Sequence, residues 1–373
     1  MQNSFNRRQL LALCFVNLLA PATRLMPRYS AELSGSACWL APIAALPFLL
    51  LYILFISRFM RDRRDGEGLG EVMLRAGGRG FGSAALLFAA LLQIFFSGFF
   101  LLSGANRFIS TIYPASGPAP FIAVTLLIAL IAALGPDKAI VRAAKIFAPI
   151  IIAALALVLI FAFVDADLSL VAPVTVQDAV PTLKGVLPVL DVFTGSLLFP
   201  AFLECGCRRE SGRCRDFALW SVPVALLLSA ICAAVIANYG VELTTELAHP
   251  FFTLIRDVTL FRTIERIEAL VAALWVLPDF VVLTVMLKGA GRCLRLALGF
   301  KPETEAKKSC DLSNGRWLIA ASALATGVIA FAIPVQEQLL GVLSEIVVPA
   351  ANLVLALLVL PALHLFKALQ HSA

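Results

Sequence analysis

Three ionisable residues lie inside long apolar runs of this sequence. Arg24 follows Pro21 in NLLAPATRLMPR, Asp191 lies in VLDVFTGSLLFP, and Asp279 lies in ALWVLPDF. A charge at the centre of an apolar segment of membrane-spanning length costs about 2.5 to 3.5 kcal/mol on insertion scales, so such residues are functional candidates by default. Arg24 suits the acid group of a small ligand, and the two aspartates are candidate partners of Arg24.

The composition places these residues in a membrane protein. Of 373 residues, 60% are hydrophobic and only 14% are charged, and the mean hydropathy is +0.92. That is too apolar for a soluble protein, and a helix that crosses a bilayer needs about 20 apolar residues. We therefore predict an all-α polytopic membrane protein that forms a single membrane domain over residues 1–373. Its ten predicted spans lie at about residues 8–33, 38–58, 82–112, 119–135, 142–164, 182–205, 216–239, 262–290, 316–334 and 341–366.

The basic residues are distributed unevenly between the two sets of loops. Most of the 30 Lys and Arg fall at the termini or in the loops that follow the even-numbered spans, whereas the opposite loops are rich in acids. The positive-inside rule then places both termini in the cytoplasm. Because the basic residues alternate from loop to loop and form no single patch, the net charge of +6 does not indicate a nucleic-acid partner.

No catalytic or cofactor-binding motif is recognisable. The three histidines have no partner at motif spacing, and the sequence has neither a phosphate-binding glycine loop nor a nucleophile elbow. Cys205, Cys207 and Cys214 lie close together, but they lack a fourth zinc ligand. We therefore expect no enzyme activity, no metal and no cofactor. The function must depend on which molecule the helix bundle binds or transports.

One segment carries a resemblance to a known family. The stretch HPFFTLIRDVTLFRTIERIEALVAALWVLPDF, residues 249–280, has aromatic residues after Pro250, an ERIE sequence at 265–268, and then Trp275. It resembles a hallmark of the spore germination permease family, the GerAB-type B subunits of germinant receptors. The segments GLGEVMLRAGGRGFG, VRAAKIFAPIII and PTLKGVLPVLDVFTGSLLFPAFLE also resemble family segments in the same order. The resemblance therefore covers nearly the whole chain.

The resemblance implies a fold and two possible functions. The fold is that of the amino acid, polyamine and organocation transporter superfamily. It has two inverted five-helix repeats, here at about 8–164 and 182–334, with a final helix at about 341–366. The first and sixth spans are broken, as in leucine-transporter-like proteins. The first function is a receptor subunit that binds a small nutrient such as an amino acid and triggers germination with A and C subunits in the spore inner membrane. The alternative is an ion-coupled amino acid transporter.

The residues themselves support the two breaks. Pro21 has no N–H and disfavours helical geometry at Ala20, so the first half-helix is expected to end near Leu19. In the sixth span a polar group that includes Gly195 interrupts the apolar run, and the glycine supplies a permissive backbone. Two matched interruptions are the best sequence pointer to a midplane site. A continuous helix that is merely kinked at Pro21 is the alternative.

These breaks define the predicted ligand site. Arg24 and the half-helix N-termini would face a ligand carboxylate, while Phe193 and Trp275 would shape the apolar side. Asp191, Glu268 and Asp279 remain alternative partners of Arg24, which could instead reach the outer interface. The full predicted set is Ala20, Pro21, Ala22, Thr23, Arg24, Ser97, Asp191, Phe193, Thr194, Gly195, Ser196, Trp275 and Asp279. The family has glycines at the first break where this chain has Pro21 to Arg24, so its ligand cannot be copied from relatives.

Overall fold

The computed structural model describes residues 6–64, 67–112, 117–164, 166–172, 174–203, 214–257, 274–300, 315–333 and 342–372. These residues form helices and connecting segments and contain no strand. The α-helices are α1 (Arg7–Ser34), α2 (Ala41–Ala44), α3 (Leu46–Phe59), α4 (Leu69–Gly77), α5 (Ser83–Ile112), α6 (Ala119–Leu134), α7 (Asp137–Ala162), α8 (Ala179–Ala201), α9 (Cys214–Glu246), α10 (Pro250–Asp257), α11 (Val276–Ala297), α12 (Arg316–Ala332), α13 (Val348–Val354) and α14 (Leu360–Ser372).

The described apolar helices overlap the predicted spans, and residues 262–273 of the span predicted at 262–290 lie outside the described residues. Within the described part of the chain, six helical stretches are long and apolar enough to cross a membrane: Arg8–Phe59, Leu69–Ile109, Asp137–Ala162, Val176–Ala201, Cys214–Glu246 and Val348–Ala368. The first of these contains both α1 and α3, and α6 and α12 are shorter apolar helices. This is a multi-pass membrane protein. The count of ten crossings and the boundaries of the two repeats stay predictions.

The two predicted helix breaks are absent, which corrects the sequence interpretation. Helix α1 continues past Pro21 and Pro27, and α8 continues past Pro188, Gly195 and Pro200. Each proline removes one backbone donor, but membrane helices tolerate this where neighbouring groups satisfy the backbone again. The Oγ1 of Thr23 donates to the carbonyl of Leu19 at 2.9 Å, two residues on either side of Pro21. No half-helix N-terminus therefore faces the site, and its charge must come from side chains.

Helix α1 occupies the centre of the bundle. It packs against α7, α8, α9 and α11, while α11 packs against α5, α6 and α12. Almost every residue of α1 between Leu13 and Ala31 is buried, as expected for a helix surrounded by other helices. The four helices α1, α5, α8 and α11 therefore present their polar residues to one another inside the protein.

A glycine allows α5 and α12 to approach closely. A Cβ atom added at Gly98 would lie 2.6 Å from Cγ2 of Ile329 and 3.1 Å from the carbonyl oxygen of Thr326. Small residues at such contacts are typical of membrane helix pairs, whose association depends on close packing. Gly98 therefore fixes the position of the helix that carries Phe100 and Arg107.

Replacing Gly98 with alanine should separate α5 from α12. Overpacking of this kind costs about 1 to 3 kcal/mol, so we expect Gly98→Ala to lower the thermal unfolding temperature of the purified protein in detergent. Gly80→Ala is the matched control, because an added Cβ at Gly80 meets nothing within 4 Å. Equal unfolding temperatures for the two variants would contradict the close packing.

Candidate ligand site

Arg24, Asp279 and Arg107 form an ion cluster between α1, α11 and α5. The Nη2 of Arg24 lies 3.0 Å from Oδ1 of Asp279, and the Nη2 of Arg107 is bonded to the other carboxylate oxygen. The Arg24 side chain is 1% exposed, that of Arg107 5% and that of Asp279 11%. The prediction that Arg24 could reach the interface is therefore wrong. Of its alternative partners, the structure selects Asp279.

Within the described part of the chain, the guanidinium group of Arg24 is only partly hydrogen-bonded. Two guanidinium groups share one carboxylate, and the Nε of Arg24 is buried without a hydrogen-bond partner among the described residues. Arg24 also donates from Nη1 to the carbonyl of Phe100, but at a long 3.5 Å. Glu268, another predicted partner, lies outside the described residues. A buried cation that is incompletely paired favours the approach of an anionic group.

Aromatic rings enclose the cluster. The guanidinium carbon of Arg24 lies 5.2 Å from the centre of the Phe100 ring, and that of Arg107 lies 4.6 Å from the centre of the Phe252 ring. Both distances suit cation–π attraction, which is strongest away from water. Trp275 donates from Nε1 to Oγ1 of Thr23 at 3.0 Å, and its ring packs edge-on against Phe252. These contacts fix α1 one residue before Arg24.

Asp191 belongs to a separate polar centre between α8 and α13. The Nδ2 of Asn352 donates to Oδ1 of Asp191 at 2.6 Å, to its carbonyl oxygen at 2.9 Å and to Oγ1 of Thr194 at 3.3 Å. Asp191 is 6% exposed and has no ion pair with a described residue. The predicted pairing of Arg24 with Asp191 is therefore wrong, because the carboxylate of Asp191 accepts a hydrogen bond from the Asn352 amide and forms no ion pair with Arg24.

Gly195 serves close packing and not a break. Its backbone is helical, and a Cβ added there would lie 3.1 Å from Nδ2 of Asn352 and 3.2 Å from Cε2 of Phe199. The absence of a side chain therefore leaves room for the Asn352 amide beside Asp191. The sequence predicted that Gly195 would supply a permissive backbone at a helix break, but its backbone angles are helical and need no such freedom.

Two cavities lie beside these centres, and Phe100 borders both. The first has a volume of about 30 Å³ and lies between α1, α5, α8, α11 and α13. Its polar lining comes from Asn17, Asp191, Ser196 and Asn352. The second has a volume of about 110 Å³, lies between α5, α6 and α11, and has Arg107 and Asp279 in an otherwise mostly apolar wall.

The structure brings together part of the predicted site. Pro21, Asp191, Gly195 and Ser196 line the first cavity, and Asp279 lines the second. Ser97 lines neither cavity, although its Oγ is buried without a partner among the described residues. Phe193 is also buried away from both cavities, against Trp220. Residues that are buried in the helix packing without lining a cavity include Ala20, Ala22, Thr23, Thr194 and Trp275.

Sequence reasoning missed Arg107, Asn352, Phe100 and Asn17 as site residues. Arg107 offered the clearest signal, since it is a charged residue that continues a long apolar run. Asn17 and Asn352 are isolated amides in apolar segments, which more commonly join helices by hydrogen bonds. Phe100 gave no signal, because an aromatic residue in a membrane helix is ordinary core.

Comparison with solved structures defines the class. MhsT in complex with L-phenylalanine is 15% identical over 99% of this chain and 89% of its own, with a TM-score of 0.63. A Na+-coupled sialic acid symporter in a substrate-bound outward-open state is 12% identical over 96% of this chain and 80% of its own, with a TM-score of 0.61. At such identities the likeness shows the fold alone. The chain is thus a helical membrane protein with the leucine-transporter-like fold.

The sequence then gives the family. Residues 5–310 match the family described as spore germination protein, and the chain belongs to that family. This confirms the resemblance carried by the segment from His249 to Phe280. No curated protein matches the sequence.

The ion cluster predicts an asymmetric response to neutralising substitutions. Asp279→Asn removes the carboxylate charge that both buried guanidinium groups bind, and breaking a buried pair in this way costs about 3 to 5 kcal/mol. Arg107→Gln leaves Arg24 and Asp279 as a one-to-one pair, so it should destabilise less. The thermal unfolding temperatures of the two purified variants in detergent measure both destabilisations.

The control is Glu32→Gln, which removes an Arg28–Glu32 ion pair whose side chains are about 30% exposed. Exposed pairs contribute about 0 to 1 kcal/mol, so this variant should unfold near the wild-type temperature. If Asp279→Asn unfolded no earlier than Glu32→Gln, the ion cluster would not be the compensated buried charge described above.

Proposed function

We propose that this chain is the membrane subunit of a spore germinant receptor and that it binds a small amino acid beside Arg24. The proposed location is the spore inner membrane, with both termini in the cytoplasm and with A and C subunits as partners. The family supports the role in germination. The basic loops of the sequence support the orientation. Binding of the ligand would then shift the bundle between conformations that the partner subunits read.

The buried and incompletely bonded guanidinium group of Arg24 carries this proposal. The Nε of Arg24 is a buried donor without a partner among the described residues, and a ligand carboxylate beside Arg24 would accept a hydrogen bond from it. The ammonium group of the same ligand would approach Asp279. An α-amino acid has both charges at the required spacing, so it compensates the cluster better than a simple acid does.

Binding requires side chains to move. A cavity holds a single water when about 10 to 15 Å³ is available to the water centre, so 30 Å³ on one side of Phe100 holds only a few waters. The 110 Å³ cavity on the other side is larger but still small for a whole amino acid. Rotation of Phe100 would join the two spaces directly in front of Arg24. That rearrangement would give rise to the conformational signal.

Amino acid transport is the second candidate, and Asp191 favours it. An intramembrane carboxylate without a cationic partner is typical of proton and ion pathways. Asp191 meets that description among the described residues, where only an amide donates to it. Receptor and transporter share the fold and the pocket, so fold alone does not choose between them.

Ligand binding can be tested by thermal shift of the purified chain against the twenty amino acids. We expect one or a few small amino acids to raise the unfolding temperature, because a ligand that binds only the native state stabilises it. Arg24→Lys keeps the charge but loses the planar fork, and should weaken binding about tenfold or more. Arg28→Ala, four residues further along α1, is the matched control. A ligand that binds Arg24→Lys and Arg24→Ala as tightly as wild type would refute the role of Arg24.

Receptor and transporter make different predictions for the chain alone. Proteoliposomes that contain only this chain should bind the identified amino acid without accumulating it if the chain is a receptor subunit. Accumulation driven by an ion gradient would instead establish transport. Co-purification with A and C subunits from spores, strengthened by the same amino acid, is the positive readout for the receptor.

A further inference from the structure

Cys38 and Cys232 form a buried pair of thiols where the segment that follows α1 meets α9. Cys38 lies in the 3₁₀ helix Gly35–Leu40, and Cys232 lies in α9. The two residues are 0% and 1% exposed, and neither sulfur is part of a disulfide. Their thiols are near enough to interact with each other through a hydrogen bond. Two segments that are far apart in the sequence therefore place their sulfur atoms together.

A hydrogen bond beside the pair holds the two segments together at this place. The Oγ of Ser229 donates to the carbonyl of Trp39 at 2.6 Å. Trp39 directly follows Cys38, and Ser229 lies on the same face of α9 as Cys232, one turn earlier. The contact between the thiols therefore follows from the packing of two helical backbones, and does not depend on one flexible side chain.

Cys293 provides a contrast within the same bundle. It is also 0% exposed, but its sulfur accepts a hydrogen bond from Nε2 of Gln93 at 3.7 Å. A single buried cysteine usually behaves as a small apolar residue, and its neighbours decide whether it has any chemistry. An amide offers a sulfur atom no covalent partner, whereas a second thiol does. The pair at Cys38 and Cys232 can therefore react in a way that Cys293 beside Gln93 cannot.

The proposed orientation puts the pair on the side of the membrane where disulfides persist. With the N-terminus in the cytoplasm, α1 ends on the outer side, and the 3₁₀ helix with Cys38 begins there. Helix α9 runs in the same direction from Cys214, and Cys232 lies about 27 Å along it at 1.5 Å per residue. The apolar core of a bilayer is about 30 Å thick. Both thiols are thus remote from the cytosol, where glutathione keeps cysteines reduced.

We propose that Cys38 and Cys232 are a redox-active pair that closes to a disulfide when hydrogen peroxide reaches it. One thiol attacks an oxygen of the peroxide, the O–O bond breaks, and a sulfenic acid and one water form. The second thiol then attacks the sulfenic sulfur, so that the S–S bond forms and the hydroxyl leaves with the thiol proton as a second water. The two cysteines are oxidised and the peroxide is reduced. Burial excludes larger oxidants, and the resolving thiol already lies beside the first.

The disulfide would join the outer end of α1 to α9. Ser34, the last residue of α1, donates from Oγ to the carbonyl of Pro181 at 3.0 Å, so this end of α1 is already held against α8. Because α1 also carries Arg24, a covalent link here would restrict the movement of the helix that presents Arg24. The oxidised protein should then respond less to its ligand. That consequence rests on the proposed function, whereas formation of the bond does not.

The test is treatment of the purified full chain with hydrogen peroxide, followed by digestion without reduction and mass spectrometry. We expect a pair of peptides joined through Cys38 and Cys232, which separates again after unfolding and treatment with dithiothreitol. Oxidation should also raise the unfolding temperature, because a link between distant residues restricts the unfolded chain. Cys38→Ala and Cys232→Ala should each abolish the joined peptides and the rise in temperature.

Cys293→Ala is the matched control, because Cys293 is equally buried but bonds to an amide, and this variant should keep both effects. The partly exposed Cys214 shows in the same digest whether peroxide has reacted with the protein. The peptide measurement on the unmodified chain does not require any variant to fold.

Three results would overturn the redox pair: oxidation of Cys38 and Cys232 only to sulfinic or sulfonic acids, links from them only to other cysteines, or no reaction while Cys214 is oxidised. The two proposals also fail separately. Joined peptides in a protein that binds no amino acid in either redox state would support the redox pair and refute the proposed function. Amino acid binding without joined peptides would do the reverse.

Discussion

The structure depends on the compensation of charge inside an apolar bundle. Arg24 and Asp279 lie 255 positions apart in the sequence, and Arg107 and Asp279 lie 172 apart. Their contact requires α1, α5 and α11 to meet, and a buried arginine without its carboxylate would cost about 3 to 5 kcal/mol. The same helices are held by Gly98 and by the aromatic rings around the cluster.

The two polar centres complement each other. Arg24 has a buried donor without a partner among the described residues, whereas Asp191 and the amides near it offer acceptors. Phe100 stands between the two cavities. Movement of one ring would change how strongly the two centres interact.

Continuous helices give the site a different physical basis from broken ones. In a broken helix, the free N–H groups of a half-helix would face the ligand. Here α1 and α8 keep their helical course, so the positive charge comes from guanidinium groups and the available oxygens come from single missing donors at proline. Family membership and fold therefore do not transfer the details of ligand recognition to this chain.

The sequence by itself determined that this protein lies in a lipid bilayer, where its apolar helices are located and to which family it belongs. It could do so because hydrophobic runs and ordered motifs are local properties. It also determined that Arg24 needs a partner, since a lone charge in such a run is costly. Only the tertiary structure decided that the partner is Asp279, that Arg107 shares it and that Asn352 occupies Asp191. Helical periodicity shows which residues share a face, but not which helices touch across hundreds of residues. It also could not decide whether a proline breaks a helix or only removes one hydrogen bond, because neighbouring helices determine that outcome.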